Sequence, residues 1–173
     1  MRALAISLTL VAAPALADPP PAQPAAAPAA TPGSTQETVI IGPTGKRLVV
    51  TPQVLEGLDR AEATMINHGA AHTYEGVRLT ELLRLVDAPT GARIHAAADR
   101  DYLVVTGGDG FRAVLSLAET DRSVQQHAVI LADRMDDAPL TAHDAPYRIV
   151  VDGDQKPARS VYAVTKIEVR VLP

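Results

Sequence analysis

The chain has 173 residues, no cysteine and a formal net charge of −4. The lack of cysteine excludes disulfides, cysteine nucleophiles, iron–sulfur clusters and thiolate metal ligands from this chain. The acidic balance disfavours nucleic acids and anionic lipid surfaces as partners.

Residues 1–17 are typical of a secretory signal peptide. Arg2 supplies the positive region, Ala3 to Ala13 the apolar region, and Ala15-Leu16-Ala17 a cleavage site with small residues at its outer positions. Cleavage there would leave 156 residues beginning at Asp18. No later apolar run approaches the roughly 20 residues that a membrane-spanning helix needs. We therefore expect an exported protein, periplasmic or secreted, that follows the general secretory route and does not span the membrane.

Residues 18–37 form a stretch rich in proline and alanine, with six of each in twenty positions and no large apolar side chain. Such a stretch buries too little surface to offset its conformational entropy, and its prolines favour extended polyproline II. The sequence predicts a disordered linker here, followed by one folded domain over residues 38–173.

The first half of that domain combines strands with short helices. Residues 38–42 and 47–51 predict a β-hairpin. Residues 53–58 predict a short helix after the N-cap and first-turn proline Thr51-Pro52. A further helix is predicted over 92–100. Between them, one buried helical face is indicated by apolar residues at i, i+3, i+4 and i+7, namely Leu79, Leu82, Leu83 and Val86.

The sequence of the second half of the domain predicts mainly strands. Residues 102–106 and 111–116 predict a hairpin with a glycine-rich turn, and Ser116 with Glu119 has the spacing of a capping box at the start of a short helix. Residues 127–132 predict a strand buried on both faces, and 147–151 another strand. In the last strand, alternation predicts that three residues face inward, Ile167, Val169 and Val171. The mixture indicates an α+β domain.

From residue 74 onward, a series of motifs keeps a fixed order. They are Tyr74-Glu-Gly-Val-Arg-Leu-Thr-Glu-Leu-Leu83, Asp109-Gly-Phe111 with Ser116-Leu-Ala-Glu119, Val129 to Arg134 with Ala138-Pro-Leu140, Pro146 to Val151, Ala158-Arg-Ser-Val161 and Val164 to Val169. Together they resemble the oxidoreductase molybdopterin-binding domain, the fold of sulfite oxidase and related enzymes. The resemblance implies mixed and antiparallel strands with short helices, and a molybdopterin-binding-like domain over residues 38–173.

The resemblance also implies a molybdenum cofactor held through the pterin dithiolene and one protein cysteine. This chain lacks that cysteine. A cofactor loaded in the cytoplasm requires a twin-arginine signal, whereas only Arg2 precedes the apolar stretch. We therefore expect no bound cofactor and no molybdenum redox chemistry, with molybdopterin kept for the enzymatic alternative.

Four residues are candidates for a binding pocket. Arg159 and Ser160 match the family's stretch that holds the anionic end of the cofactor, and they could grip a phosphate through charge-assisted hydrogen bonds. The alternative is a surface arginine beside a capping serine. His68 and His72 precede the first motif. In the family, the stretch at this place borders the cofactor pocket. Their spacing would suit a metal on a helix, but Asn67, Gly69 and Thr73-Tyr74 indicate a loop, and no third ligand is evident, so no metal site is predicted.

The leading hypothesis is an exported module that uses this pocket to bind a small anion or an exported partner protein. One alternative is a sulfite oxidase-like, molybdopterin-dependent oxidoreductase with oxygen ligands in place of the cysteine. The other is a purely structural or interaction module.

Overall fold

The computed structural model describes residues 36–95 and 100–172, which form two five-stranded sheets and two short helices. The predicted signal peptide and residues 18–35 of the predicted linker lie outside the described residues. Neither helix in the described ranges has the length and apolar character needed to cross a membrane. The sheets, with few and short helices, confirm the predicted α+β class.

The first sheet joins both ends of the domain. In spatial order its strands are β2 (Arg47–Val50), β1 (Thr38–Ile41), β10 (Val164–Arg170), β5 (Tyr102–Gly107) and β6 (Arg112–Ser116). Strands β1 and β10 are parallel, and the other neighbours are antiparallel. The hairpins predicted around residues 38–51 and 102–116 are confirmed.

The second sheet carries the residues that matter most below. Its strands are β3 (Arg60–Asn67), β4 (Ala70–Arg78), β7 (Val129–Met135), β8 (Ala138–Pro139) and β9 (Arg148–Val151). Strand β7 pairs with β4 and also with both β8 and β9. The segment after β9 covers the outer edge of β3, because Gly153 N donates to Thr64 O and Ile66 N donates to Asp154 O. This edge is therefore not open for pairing with another strand.

Two helices complete the architecture. Helix α1 (Pro52–Glu56) is capped by Thr51, whose hydroxyl accepts from Val54 N, as predicted. Helix α2 (Leu79–Leu85) buries the predicted apolar face. All four residues of that face, the last of which is the C-cap Val86, are inaccessible to solvent. They pack in the main core with the inner faces of both sheets. A smaller cluster around Met65, Tyr74 and Ile130 lies on the other face of the second sheet. Strand β7 is accordingly buried on both faces over Val129–Ala132, as predicted.

Several local predictions are wrong. Residues 92–100 do not form a described helix: Gly91–Arg93 form a single 3-10 turn, and residues 96–99 lie outside the described part. Ser116 N donates to the Glu119 carboxylate as a capping box requires, but the segment that follows is only a 3-10 turn, Ala118–Thr120. Val171 is 56% exposed because β10 ends at Arg170.

The hairpin of β3 and β4 was not predicted, and the loop predicted around His72 is wrong. His68 occupies the turn with φ of 50°, whereas His72 lies within β4 and pairs with Met65 of β3. The inward face of β3 includes two alanines, Ala61 and Ala63, which have weak strand propensity. The alternation that marks a strand is therefore faint in the sequence.

Candidate binding cavity

A cavity of about 470 Å³ opens between the β3–β4 turn and the loops on either side of β9. This volume falls within the range of small-molecule sites in proteins. The β3–β4 hairpin, the end of β7 and the two loops around β9 contribute its walls, which are lined by Asn67, His68, His72, Met135, Thr141, His143, Asp144, Arg148, Pro157, Ser160 and Tyr162.

Arg148, the first residue of β9, is the only arginine that lines this cavity among the described residues. It is 5% exposed; its Nη1 lies 2.9 Å from Asp144 Oδ2, and its Nε donates to Ser160 Oγ at 2.8 Å. Ser160 in turn donates to Ile149 O. The guanidinium carbon stands 5.5 Å from the ring centroid of buried Tyr74, within the range of a cation–π contact. The cation is therefore fixed in place on three sides.

Tyr74 supplies the apolar support beneath that cation. Burial raises the pKa of the Tyr74 hydroxyl, against the opposing effect of positive Arg148. The phenol therefore stays neutral at physiological pH. It stabilises Arg148 through its ring and not through a phenolate charge.

Two histidines at the cavity are each held by a carboxylate. His72 Nδ1 lies 2.6 Å from Asp136 Oδ2, and His143 Nδ1 lies 3.0 Å from Asp144 Oδ1. The contact with His72, followed by the hydrogen bond from Thr73 N, lowers the pKa of Asp136. A carboxylate on Nδ1 leaves Nε2 as the remaining ring nitrogen for a ligand.

Tyr162 links the cavity to the turn between β5 and β6. Its hydroxyl donates to Asp109 Oδ2 at 2.8 Å, which raises the pKa of the Tyr162 hydroxyl. The His143 and Tyr162 rings stack at a centroid distance of 4.2 Å. One wall of the cavity is thus built from two stacked rings, each of which is hydrogen-bonded to a carboxylate.

The structure brings three of the four predicted site residues together. His68, His72 and Ser160 line the cavity, but Arg159 does not. Its Nε and Nη2 each lie 3.0 Å from an oxygen of Asp154, and its Nη1 lies 2.6 Å from Glu119 Oε2. Arg159 and Ser160 therefore do not act together as a phosphate site. Arg159 forms ion pairs with carboxylates of two separate loops, and Ser160 accepts a hydrogen bond from Arg148.

Arg148 is the most important of the cavity residues that the sequence reasoning missed, because it is the buried cation. It stands within Pro146 to Val151, a motif from which only a strand is predicted. A charged residue between Tyr147 and Ile149 in a buried strand was a usable signal, since arginine is almost never buried without a partner.

The sequence of residues 51–172 matches the oxidoreductase molybdopterin binding domain family. The chain belongs to this family. Among solved structures, it resembles the sulfane dehydrogenase SoxCD from Paracoccus pantotrophus, with a TM-score of 0.60 and 20% sequence identity. The match covers 81% of this chain but 40% of that one, so the chain spans well under half the length of its structural relative. At this identity the likeness establishes the fold. A search among curated proteins gave no match.

The molybdopterin-binding family raises the question of whether these residues suit its cofactor. The chain has no cysteine to supply a thiolate to molybdenum. Arg148 and Arg159, which could hold an anionic cofactor group, are each already paired with carboxylates. The donor set at the cavity therefore does not fit a thiolate-ligated molybdenum centre.

Proposed function

We propose that this chain is an exported binding protein that holds a small anion in the cavity around Arg148 and carries out no thiolate-ligated molybdenum chemistry. The observation that carries the proposal is a buried, pre-positioned guanidinium that lines the same cavity as three imidazoles. Export rests on the signal peptide predicted over residues 1–17.

The charged groups around the cavity favour an anion as the ligand. Both carboxylates beside the cavity are engaged by protein partners: Asp144 by Arg148, and Asp136 by His72 and Thr73 N. The buried Arg148 guanidinium is therefore the charged group that a ligand entering the cavity would meet.

Arg148 also retains binding capacity. Its Nε and Nη1 are engaged by Ser160 and Asp144, and among the described residues no hydrogen bond involves its Nη2. That nitrogen offers a charge-assisted donor to an oxyanion. The Met135 and Pro157 side chains supply apolar contact at the same cavity.

We expect sulfate to bind saturably to the purified protein with a Kd of about 1 mM or below, because Arg148 can donate a charge-assisted hydrogen bond to its oxygens. Isothermal titration calorimetry measures it. His72→Gln changes a side chain at the wall of the cavity and should weaken this binding by about threefold or more. Arg159→Ala is the matched control: it should leave sulfate binding unchanged, because Arg159 does not line the cavity. No saturable binding, or binding that is equal in His72→Gln, would contradict the proposal.

A second candidate function is a molybdopterin-dependent oxidoreductase with oxygen ligands, and the family match over residues 51–172 favours it. Cofactor content separates the two. We expect protein made in a host that synthesises molybdenum cofactor to contain far less than one equivalent of molybdenum by mass spectrometry. Pterin fluorescence after oxidation should agree. Stoichiometric molybdenum and pterin would replace the binding proposal with the enzymatic one.

A further inference from the structure

A second cavity, of about 360 Å³, lies where β4 runs into α2. Its walls come from these two elements, the 3-10 turn at Gly91–Arg93 and the segment after Ala118–Thr120, and its lining residues are Arg78, Thr80, Glu81, Arg84, Thr90, Gly91, Asp121 and Arg122. It is separate from the first cavity, because His72 and Arg78 stand six residues apart on β4, about 20 Å along the strand. We refer to it as the arginine cleft.

The acidic groups of the arginine cleft are already satisfied. Glu81 pairs with Arg84 at 2.8 Å, one helical turn away. Asp121 is 6% exposed and accepts hydrogen bonds from Gly91 N, Ser123 N and Ser123 Oγ. Burial alone would raise the pKa of Asp121, but these bonds outweigh it and lower the pKa below its usual range. Asp121 therefore serves as an ionised anchor for the wall of the cleft, and its carboxylate oxygens are occupied.

Two guanidinium groups of the cleft have no such partner. Arg78 and Arg122 make no ion pair among the described residues, although both line the cavity. Arg93 adds a third positive charge at the border, since its Nη2 lies 3.4 Å from Thr90 Oγ1. Thr90 accepts in that contact, so its own O–H can donate to a ligand. The cleft is thus locally cationic on a chain whose net charge is −4.

We propose that the arginine cleft binds a tetrahedral oxyanion, such as inorganic phosphate, between Arg78 and Arg122 with the Thr90 hydroxyl as a further donor. The planar fork of a guanidinium matches the oxygens of such an anion and gives charge-assisted hydrogen bonds. Arginine keeps its charge at every physiological pH. Binding here should therefore persist at pH 8. This proposal does not depend on the function proposed for the first cavity.

The test is a titration of the purified protein with inorganic phosphate at pH 8 and low ionic strength, followed by calorimetry. We expect saturable binding with a Kd of about 1 mM or below. Arg122→Gln, at an exposed position, should weaken binding by about tenfold. Arg78→Gln should do the same. The matched control is Arg112→Gln, an exposed arginine of β6 outside the cleft, which should leave the Kd within about twofold of the original value.

Failure of phosphate to bind saturably at pH 8 would overturn the proposal. So would equal weakening by Arg112→Gln, since that result would indicate attraction by overall charge. Arg122→Gln keeps the test decisive if Arg78→Gln fails to fold, because Arg122 is an exposed loop residue. His72→Gln separates the two sites: it should weaken sulfate binding even in an Arg122→Gln background, and it should not change the weakening of phosphate binding that Arg122→Gln causes at pH 8.

Discussion

Replacement of Arg148 by methionine is expected to lower the free energy of unfolding by about 3–5 kcal/mol. Asp144, at 6% exposure, would then be a buried carboxylate whose only remaining side-chain hydrogen-bond partner among the described residues is the largely exposed His143. Methionine preserves much of the volume of the side chain, so the loss reports on charge and hydrogen bonding and not on a cavity. Urea unfolding monitored by circular dichroism measures it.

The double variant Arg148→Met with Asp144→Asn tests the cause. Removing both charges should recover a substantial part of the loss, because no uncompensated buried charge is left. Arg112→Met is the matched control at an exposed position, and its effect should stay within about 0.5 kcal/mol. A loss below about 1 kcal/mol for Arg148→Met would show that the buried pair does not hold the cavity together.

Gly76→Ala is expected to destabilise the protein by about 3 kcal/mol or more. A Cβ at this position would stand 2.1 Å from Leu131 O and 2.5 Å from Ala132 Cα, which are both backbone atoms of the adjacent strand β7. Neither can rotate away, so β4 and β7 would have to separate. The ladder between them is already irregular between Glu75 and Gly76. We expect the melting midpoint to fall by about 10 °C.

Gly57→Ala provides the comparison for Gly76→Ala. Gly57 has a φ of −85°, and a methyl group added there would have Val54 O as its nearest neighbour, 4.0 Å away. An alanine fits at this position and restricts the unfolded chain, so stability should be unchanged or should rise by up to about 1 kcal/mol. Similar melting midpoints for the two variants would mean that β4 and β7 do not approach each other this closely.

The parts of the fold that sequence reasoning predicted correctly have strong local signals. The face made by Leu79, Leu82, Leu83 and Val86 repeats at helical spacing, and three glycines stand at the end of β5 and in the turn that leads to β6. By contrast, β3 and β4 combine alanine, charged residues and histidine. They are strands because β7 pairs with β4 and the segment after β9 covers the outer edge of β3. Long-range pairing of this kind leaves little trace in a local pattern.

The site was predicted only in part for a similar reason. Motif order placed Ser160 and the two histidines near a pocket, and the structure places all three at one cavity. An arginine can bind a ligand or pair with a carboxylate of the same chain, and which of the two occurs depends on the carboxylates that the fold brings close to it. Asp154 and Glu119 reach Arg159 from separate loops, and Asp144 reaches Arg148 across a turn. Adjacent positions 159 and 160 thus have different roles, which no spacing rule distinguishes.

The parallel pairing of β1 with β10 has a consequence for folding kinetics. β1 lies between β2 and β10, and the hydroxyl of Thr38 donates to Val164 O across 126 residues of sequence. A chain synthesised from its N-terminus therefore has to keep the β1–β2 hairpin with an unpaired edge until β10 has emerged. Sheets with such distant pairings fold slowly and expose strand edges that can aggregate. Slow closure of the first sheet is accordingly an expected consequence of the order of its strands.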